Sequence, residues 1–316
     1  MATSDDDSNA DAPPSIKARL RAWWEGYDVP GFAQKKPDNA PAAPQAGRKA
    51  ATADEGLDRW GKPLWSATRI QVIEQLWGKG FTTPGANEHV PNLVKPFGLN
   101  PSMTVLDVAA GLGGATRAMV AKYGCWAVGL EGSPMLAKLG MERSVMAGLA
   151  KQAPVELFNP EAFSFPKRVD TILCKEGMFT VSDKNQLFDG MELCLKPRGQ
   201  ILITDYVVEP GKEDAGPVQG WVQHEPQEPK LWTLAQMTEA FAQRNLDLRI
   251  AEDITATQHK LIVDGIKGLA THMEKHHLDQ DTKIAVMGEV EMWARRIAAM
   301  SSGVRVYRFY ALKPPE

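Results

Sequence analysis

The chain has 316 residues, enough to bury a full core and to carry extra helices beside it. Its net charge of −3 and pI near 6.1 leave no general electrostatic footprint for nucleic acid, so no nucleic-acid partner is expected. Cys125, Cys174 and Cys194 form neither a disulfide framework nor a zinc-ligand spacing and read as buried, reduced thiols.

Residues 1–14 are acidic and rich in small side chains, the opposite of a secretory signal, and read as a disordered tail. No apolar run is long enough to span a bilayer, so a cytoplasmic protein is expected. Residues 15–28 read as a short amphipathic helix: Ile16, Leu20, Trp23, Trp24 and Tyr27 share one face, bordered by Lys17, Arg19 and Arg21. The pattern fits an arm docked on the body or on a partner subunit. It also fits peripheral contact with the inner face of a membrane, although one short helix binds membranes weakly. Residues 29–56, rich in Pro, Ala and Gly, read as a linker.

The folded body is expected over 57–316. Ile70, Ile73 and Trp77 mark a helix from about Ser66 to Gly78. Strands then alternate with helices: strand Thr104–Ala109, helix Ala115–Tyr123, strand Trp126–Leu130, helix Met135–Gly148, strands Val155–Phe158 and Val169–Cys174, helix Asn185–Leu195, strand Gln200–Asp205. Later come a helix at Leu234–Arg244, a strand near Leu248–Glu252, two helices within 258–300 as an insertion or lid, and a last strand at Arg305–Leu312. The alternation predicts an α/β fold, a Rossmann-like doubly wound, mostly parallel sheet with helices on both faces and a helical C-terminal addition.

The sharpest motif is Val105-Leu106-Asp107-Val108-Ala109-Ala110-Gly111-Leu112-Gly113-Gly114, a buried strand leading through a glycine turn into a helix. Glycine lets the backbone turn tightly and approach a ligand, and the helix that follows offers free N–H groups. A dinucleotide site would want another glycine where Thr116 stands. The Gly113–Gly114 pair with Asp107 suits S-adenosyl-L-methionine better, because that cofactor has no pyrophosphate to hold. Glu131 ends the next strand, roughly twenty residues on, where an acid can accept both ribose hydroxyls. Asn159 follows the third strand, placed to accept from an adenine amino group, or simply to make the turn before Pro160.

Together these segments resemble the class I S-adenosyl-L-methionine-dependent methyltransferases, and most of all their phosphoethanolamine N-methyltransferase and sterol C-methyltransferase branches. The resemblance runs from about Leu76 to Thr255. Leu76 through Gly85 looks like the segment those enzymes fold over the cofactor's carboxylate. Asp107 through Gly114 looks like their first motif, Glu131 like their ribose-binding acid, and Lys175 through Lys184 like the loop bordering the reacting centre. The resemblance implies Thr83, Asp107, Ala109, Gly111, Gly113, Gly114, Glu131, Asn159 and Lys175 at the cofactor, with Glu176 and Tyr206 at the acceptor. Thr180 stands where these relatives commonly carry a histidine, Trp65 falls near its partner tyrosine, and Asn159 replaces an aspartate.

Methyl transfer from a sulfonium is an in-line displacement, so the protein must align the acceptor and exclude water. The expected acceptor is a small amine or a lipid-like molecule. Glu176 would orient a cation, Tyr206 would hydrogen-bond it, and Thr180, Trp221, His224 and Trp65 are further pocket candidates. C-methylation of an apolar isoprenoid, and a methyltransferase fold retained for binding without catalysis, are alternatives. His272, His276 and His277 cluster in sequence, but no cysteine or carboxylate spacing completes a metal site, and no metal is expected.

Overall fold

The computed structural model describes residues 56–315, so the tail at 1–14, the helix at 15–28 and nearly all of the linker lie outside the described residues. The elements in chain order are α1 (Ala67–Trp77), α2 (Ala86–Leu93), β1 (Thr104–Val108), α3 (Gly114–Tyr123), β2 (Trp126–Glu131), α4 (Pro134–Met146), β3 (Val155–Leu157) and β4 (Val169–Lys175). They continue with α5 (Lys184–Cys194), β5 (Leu195–Val208), α6 (Gly216–His224), β6 (Trp232–Thr233), α7 (Leu234–Gln243), β7 (Asp247–Asp253), α8 (Thr255–Lys275), α9 (Gln280–Met300) and β8 (Val304–Leu312).

The sheet runs β3-β2-β1-β4-β5-β8-β7, with β6 paired to the end of β5. The pairings β3-β2-β1-β4-β5 are parallel, and β8 joins antiparallel between β5 and β7. Parallel strands covered on both faces need apolar side chains on both, which explains the continuous burial of Val105, Leu106 and Val108 in β1. The order of strand addition reverses between the parallel β1 and β4, so the crevice at their carboxyl ends is where a ligand is expected.

α1 starts where the Ser66 hydroxyl accepts from the Arg69 N–H and stops at Gly78 (φ 94°). Its buried face of Ile70, Ile73 and Trp77 meets α9, where Trp77 and Trp293 pack edge to face at 4.8 Å. α9 also lies along α6. The C-terminal helices therefore wall one side of the crevice.

Several elements differ from the sequence reading, among them the short β6, which it did not contain. α2 contains Pro91 and α6 begins Gly216-Pro217, so both read as breaks although proline is tolerated in a first helical turn and α2 is short. β5 begins at Leu195 rather than Gln200. The extra stretch kinks at Arg198 (φ 62°) and shifts the register with β4 between Val169 and Thr171.

Candidate active site

The glycine turn is built by backbone hydrogen bonds. Ala110 N–H donates to Leu130 O at 2.9 Å and Gly113 N–H to Ala110 O at 2.8 Å, which swings the chain from β1 into α3. Gly113 (φ 74°) caps α3 without a side-chain bond, so no cap side chain occupies the first amides of that helix. At Gly111 (φ 56°) a Cβ would stand 2.5 Å from the Thr82 hydroxyl, and at Gly114 it would stand 2.4 Å from the Gly80 carbonyl. Residues 80–82 therefore lie directly across the turn. Glu74 pins them from α1, accepting Gly80 N–H at 2.7 Å while it pairs with Arg143.

Glu131 joins this turn to the second strand. Its Oε2 accepts from Gly111 N–H and its Oε1 from Ser133 N–H, each at 2.8 Å. Burial raises its carboxyl above the ordinary value, and backbone hydrogen bonds from Ser133, Gly111 and Gly132 work against that shift. A carboxylate oxygen has two lone-pair directions, so each oxygen keeps one for a ligand hydroxyl. Asp107 is fully enclosed within β1, where it accepts the Thr116 hydroxyl at 2.6 Å. Burial pushes its carboxyl up to about 6. Thr116 thus supports Asp107 from α3, and Gly129 leaves it room, since a Cβ there would come within 2.9 Å of its Oγ1.

Two non-glycine residues in left-handed conformation flank the crevice: Ala109 (φ 62°) after β1 and Glu176 (φ 51°) after β4. Strain of this kind costs on the order of 1–3 kcal/mol and collects at working sites. Between these two chain segments, Gly177 allows a contact that a Cβ would break, standing 2.5 Å from Ala109 Cβ.

Lys175 donates to the Thr83 hydroxyl and, at 3.1 Å, to Glu176 Oε1. Glu176 also accepts from Gln258 Nε2 at 3.1 Å and from the Tyr206 hydroxyl at 2.9 Å. Burial alone would raise this carboxyl; Lys175 and Arg296 outweigh it and hold the group below its ordinary value. Tyr206 moves far upward, driven by burial and by the Glu176 charge. Around them Phe179, Tyr206 and Trp221 form an aromatic cluster with centroids 5.2–5.9 Å apart. Arg296 from α9 covers Phe179 and Tyr206 and pairs with buried Glu225 at 2.6 Å.

The crevice brings together Thr83, Asp107, Ala109, Gly111, Gly113, Gly114, Glu131, Lys175, Glu176 and Tyr206. Asn159 is exposed, and its Oδ1 accepts from Glu161 N–H at 3.0 Å as the cap of a short 3-10 turn. His224 is also exposed, bonded to its own helix at Gly220 O, and Trp221 is wholly buried with its indole N–H on Glu225. Trp221 offers no free polar group, and His224 borders the outer groove rather than the crevice. The sequence reading missed Arg296, Glu225, Gln258 and Glu289. The signal lay in α9, where Glu289 and Arg296 share the buried face of Val286, Val290, Trp293 and Met300. Charges on an apolar stripe demand partners. His89 was missed as well: burial, then Lys175, keep its imidazole below its ordinary value.

The crevice combines a helix N-terminus without a side-chain cap, a glycine turn packed closely against residues 80–82 and a strand-end carboxylate with lone pairs to spare. These groups fit the methionine and ribose parts of S-adenosyl-L-methionine. Residues 86–249 match the family model of a methyltransferase domain. The chain belongs to this methyltransferase family. It is 32% identical to phosphoethanolamine N-methyltransferase 1 of Zea mays over 149 residues, which are 47% of this chain and only 29% of the maize protein. The fold superimposes on Haemonchus contortus phosphoethanolamine N-methyltransferase 2, solved with phosphomonomethylethanolamine and S-adenosylhomocysteine. The TM-score is 0.74 at 21% identity, covering 84% of this chain and 61% of that one. Geranyl diphosphate C-methyltransferase of Streptomyces coelicolor A3(2) has the same core, with a TM-score of 0.55 at 17% identity over 72% of this chain and 80% of that one. At these identities the two structures speak for the methyltransferase fold alone.

Proposed function

We propose that the chain transfers a methyl group from S-adenosyl-L-methionine to the nitrogen of a small amine. The observation that carries this reading is the enclosed, ionised Glu176 carboxylate beside the glycine cradle, held by Lys175, Gln258 and Tyr206. The charged cluster of Glu176, Lys175 and Arg296 makes this wall polar and suits a small polar acceptor. The depressed pKa makes Glu176 a poor proton acceptor, so it is a positioning residue and not the base. The amine's proton leaves by another base or by water.

When bound, the cofactor supplies a methyl carbon already activated by the sulfonium. Glu131 would hold the ribose side, the glycine turn and the N-terminus of α3 would face the methionine side, and Thr83 with Lys175 would close the edge. Phe179, Tyr206 and Trp221 keep water from the reacting centre. The named relative from maize supports an ethanolamine-like acceptor, and the ionised side chains of the nearby cavity weigh against an isoprenoid tail.

Among the described residues no helix is long and apolar enough to cross a membrane. A cytoplasmic setting, with residues 15–28 as a docking arm, belongs to this proposal and is tested by whether deleting 1–28 releases the protein from anionic vesicles or from a partner.

The test of the main reading is titration calorimetry with S-adenosyl-L-methionine, followed by transfer of labelled methyl to phosphoethanolamine, ethanolamine and glycine with mass-spectrometric placement of the new methyl. Folded protein that does not bind the cofactor, or that methylates only carbon, overturns it.

A further inference from the structure

A cavity of about 130 Å³ lies beside the crevice, bounded by Thr83 and Thr180 on the cofactor side and by Trp65, Arg69, Glu289 and Trp293 on the far side. Glu289 projects from α9, outside the stretch that matches the methyltransferase family model. It is 3% exposed, and its Oε1 accepts from Arg69 Nε. Its Oε2 is buried and has no hydrogen-bond partner among the described residues. The other ionised groups of the cavity wall are already satisfied. Arg69 is spent on Glu289, Leu64 O and the Trp65 face, while Arg296 and Glu225 are spent on each other and on the tryptophans.

An enclosed carboxylate oxygen without a donor is costly and calls for one. The donor must be small, must carry an N–H or O–H, and is favoured if cationic because it would sit on a carboxylate. We infer that Glu289 determines acceptor specificity by receiving an N–H of the acceptor's ammonium group in this cavity. This rests on the amine reading above and names the side chain that meets the amine directly. Arg69, Pro226, Glu289 and Met292 also border a wide groove on the outer surface.

The test uses the full chain and two probes of equal size, ethanolamine and ethylene glycol, followed by tryptophan fluorescence. E289Q keeps the Oε1 that Arg69 needs and removes the charge; E252Q, at an exposed residue paired with Arg308, is the control. Ethanolamine should bind the wild type and E252Q alike. Its affinity for E289Q should fall by about 10-fold to 100-fold, the worth of a charge-assisted hydrogen bond. Ethylene glycol should bind none of the three. Equal ethanolamine affinity in the wild type and E289Q overturns the inference, as does absence of ethanolamine binding to the wild type. A purely structural Glu289 would instead lower the melting temperature and leave the affinity alone. Calorimetry with S-adenosyl-L-methionine on the same samples separates the readings: loss of that binding in the wild type would fault the methyltransferase mechanism, not Glu289.

Discussion

The Tyr206 hydroxyl donates to Glu176 Oε2 at 2.9 Å and so ties the end of β5 to the loop after β4. Both side chains are buried, and the tyrosine edge packs against Phe179 and Trp221. Y206F keeps that packing and deletes one hydrogen bond to an ionised group, worth about 1.5–3 kcal/mol. The expected result is a fall of about 10-fold or more in kcat/KM for the acceptor, with cofactor affinity unchanged. Steady-state kinetics beside calorimetry reads both, and unchanged kcat/KM would show that Glu176 needs no such tether.

Glu131 serves two amides and, in the proposed mechanism, two ligand hydroxyls. E131Q retains one acceptor oxygen and adds an NH2, so either Gly111 N–H or Ser133 N–H must lose its partner. Stability should drop by about 1–3 kcal/mol and cofactor affinity by at least about 10-fold. Chemical denaturation and calorimetry on the same preparation check the pair. A variant that loses stability while binding the cofactor normally would remove Glu131 from the ribose site.

The parallel core and the glycine turn were legible in the sequence because their signals are local. Strand runs such as Thr104–Val108, and a turn that needs positive φ at Gly111 and Gly113, are fixed by their own residues. Around Glu176 and Tyr206, which the sequence did single out, the partners were not legible, because they come from distant segments. Glu176, Gln258 and Arg296 meet only after β8 has inserted between β5 and β7 and the C-terminal helices have closed on α1. Thr116 shows the intermediate case. The sequence marked it as a glycine that was absent, while its positive role, holding Asp107, depends on the opening left by Gly129 one strand away.

Gly111 and Gly98 separate strain from contact. Both adopt left-handed backbone, with φ of 56° and 60°, but a Cβ at Gly98 would meet nothing within 4 Å, whereas one at Gly111 would strike Thr82. G98A and G111A should each cost about 1 kcal/mol or more for the backbone alone. Only G111A should displace the segment at 80–83 and weaken cofactor binding by at least about 10-fold. Equal cofactor affinity in the two variants would mean that Thr82 yields freely and that the turn does not need its close contact.

Asp107 should leave a signature in the pH dependence of stability. Burial lifts its folded pKa from an ordinary 3.8 to about 6, so between those values the folded chain holds a proton that the unfolded chain has released. The stabilisation is fully present below about 3.8 and is lost as pH rises through about 6, with a ceiling of about 3 kcal/mol. D107N cannot titrate, and its amide oxygen can still accept from the Thr116 hydroxyl. Denaturant unfolding without added cofactor, measured from pH 4.5 to 7, should show the wild type losing stability relative to D107N across that window. Parallel curves would place the Asp107 pKa near its ordinary value and require water or another donor at the carboxylate.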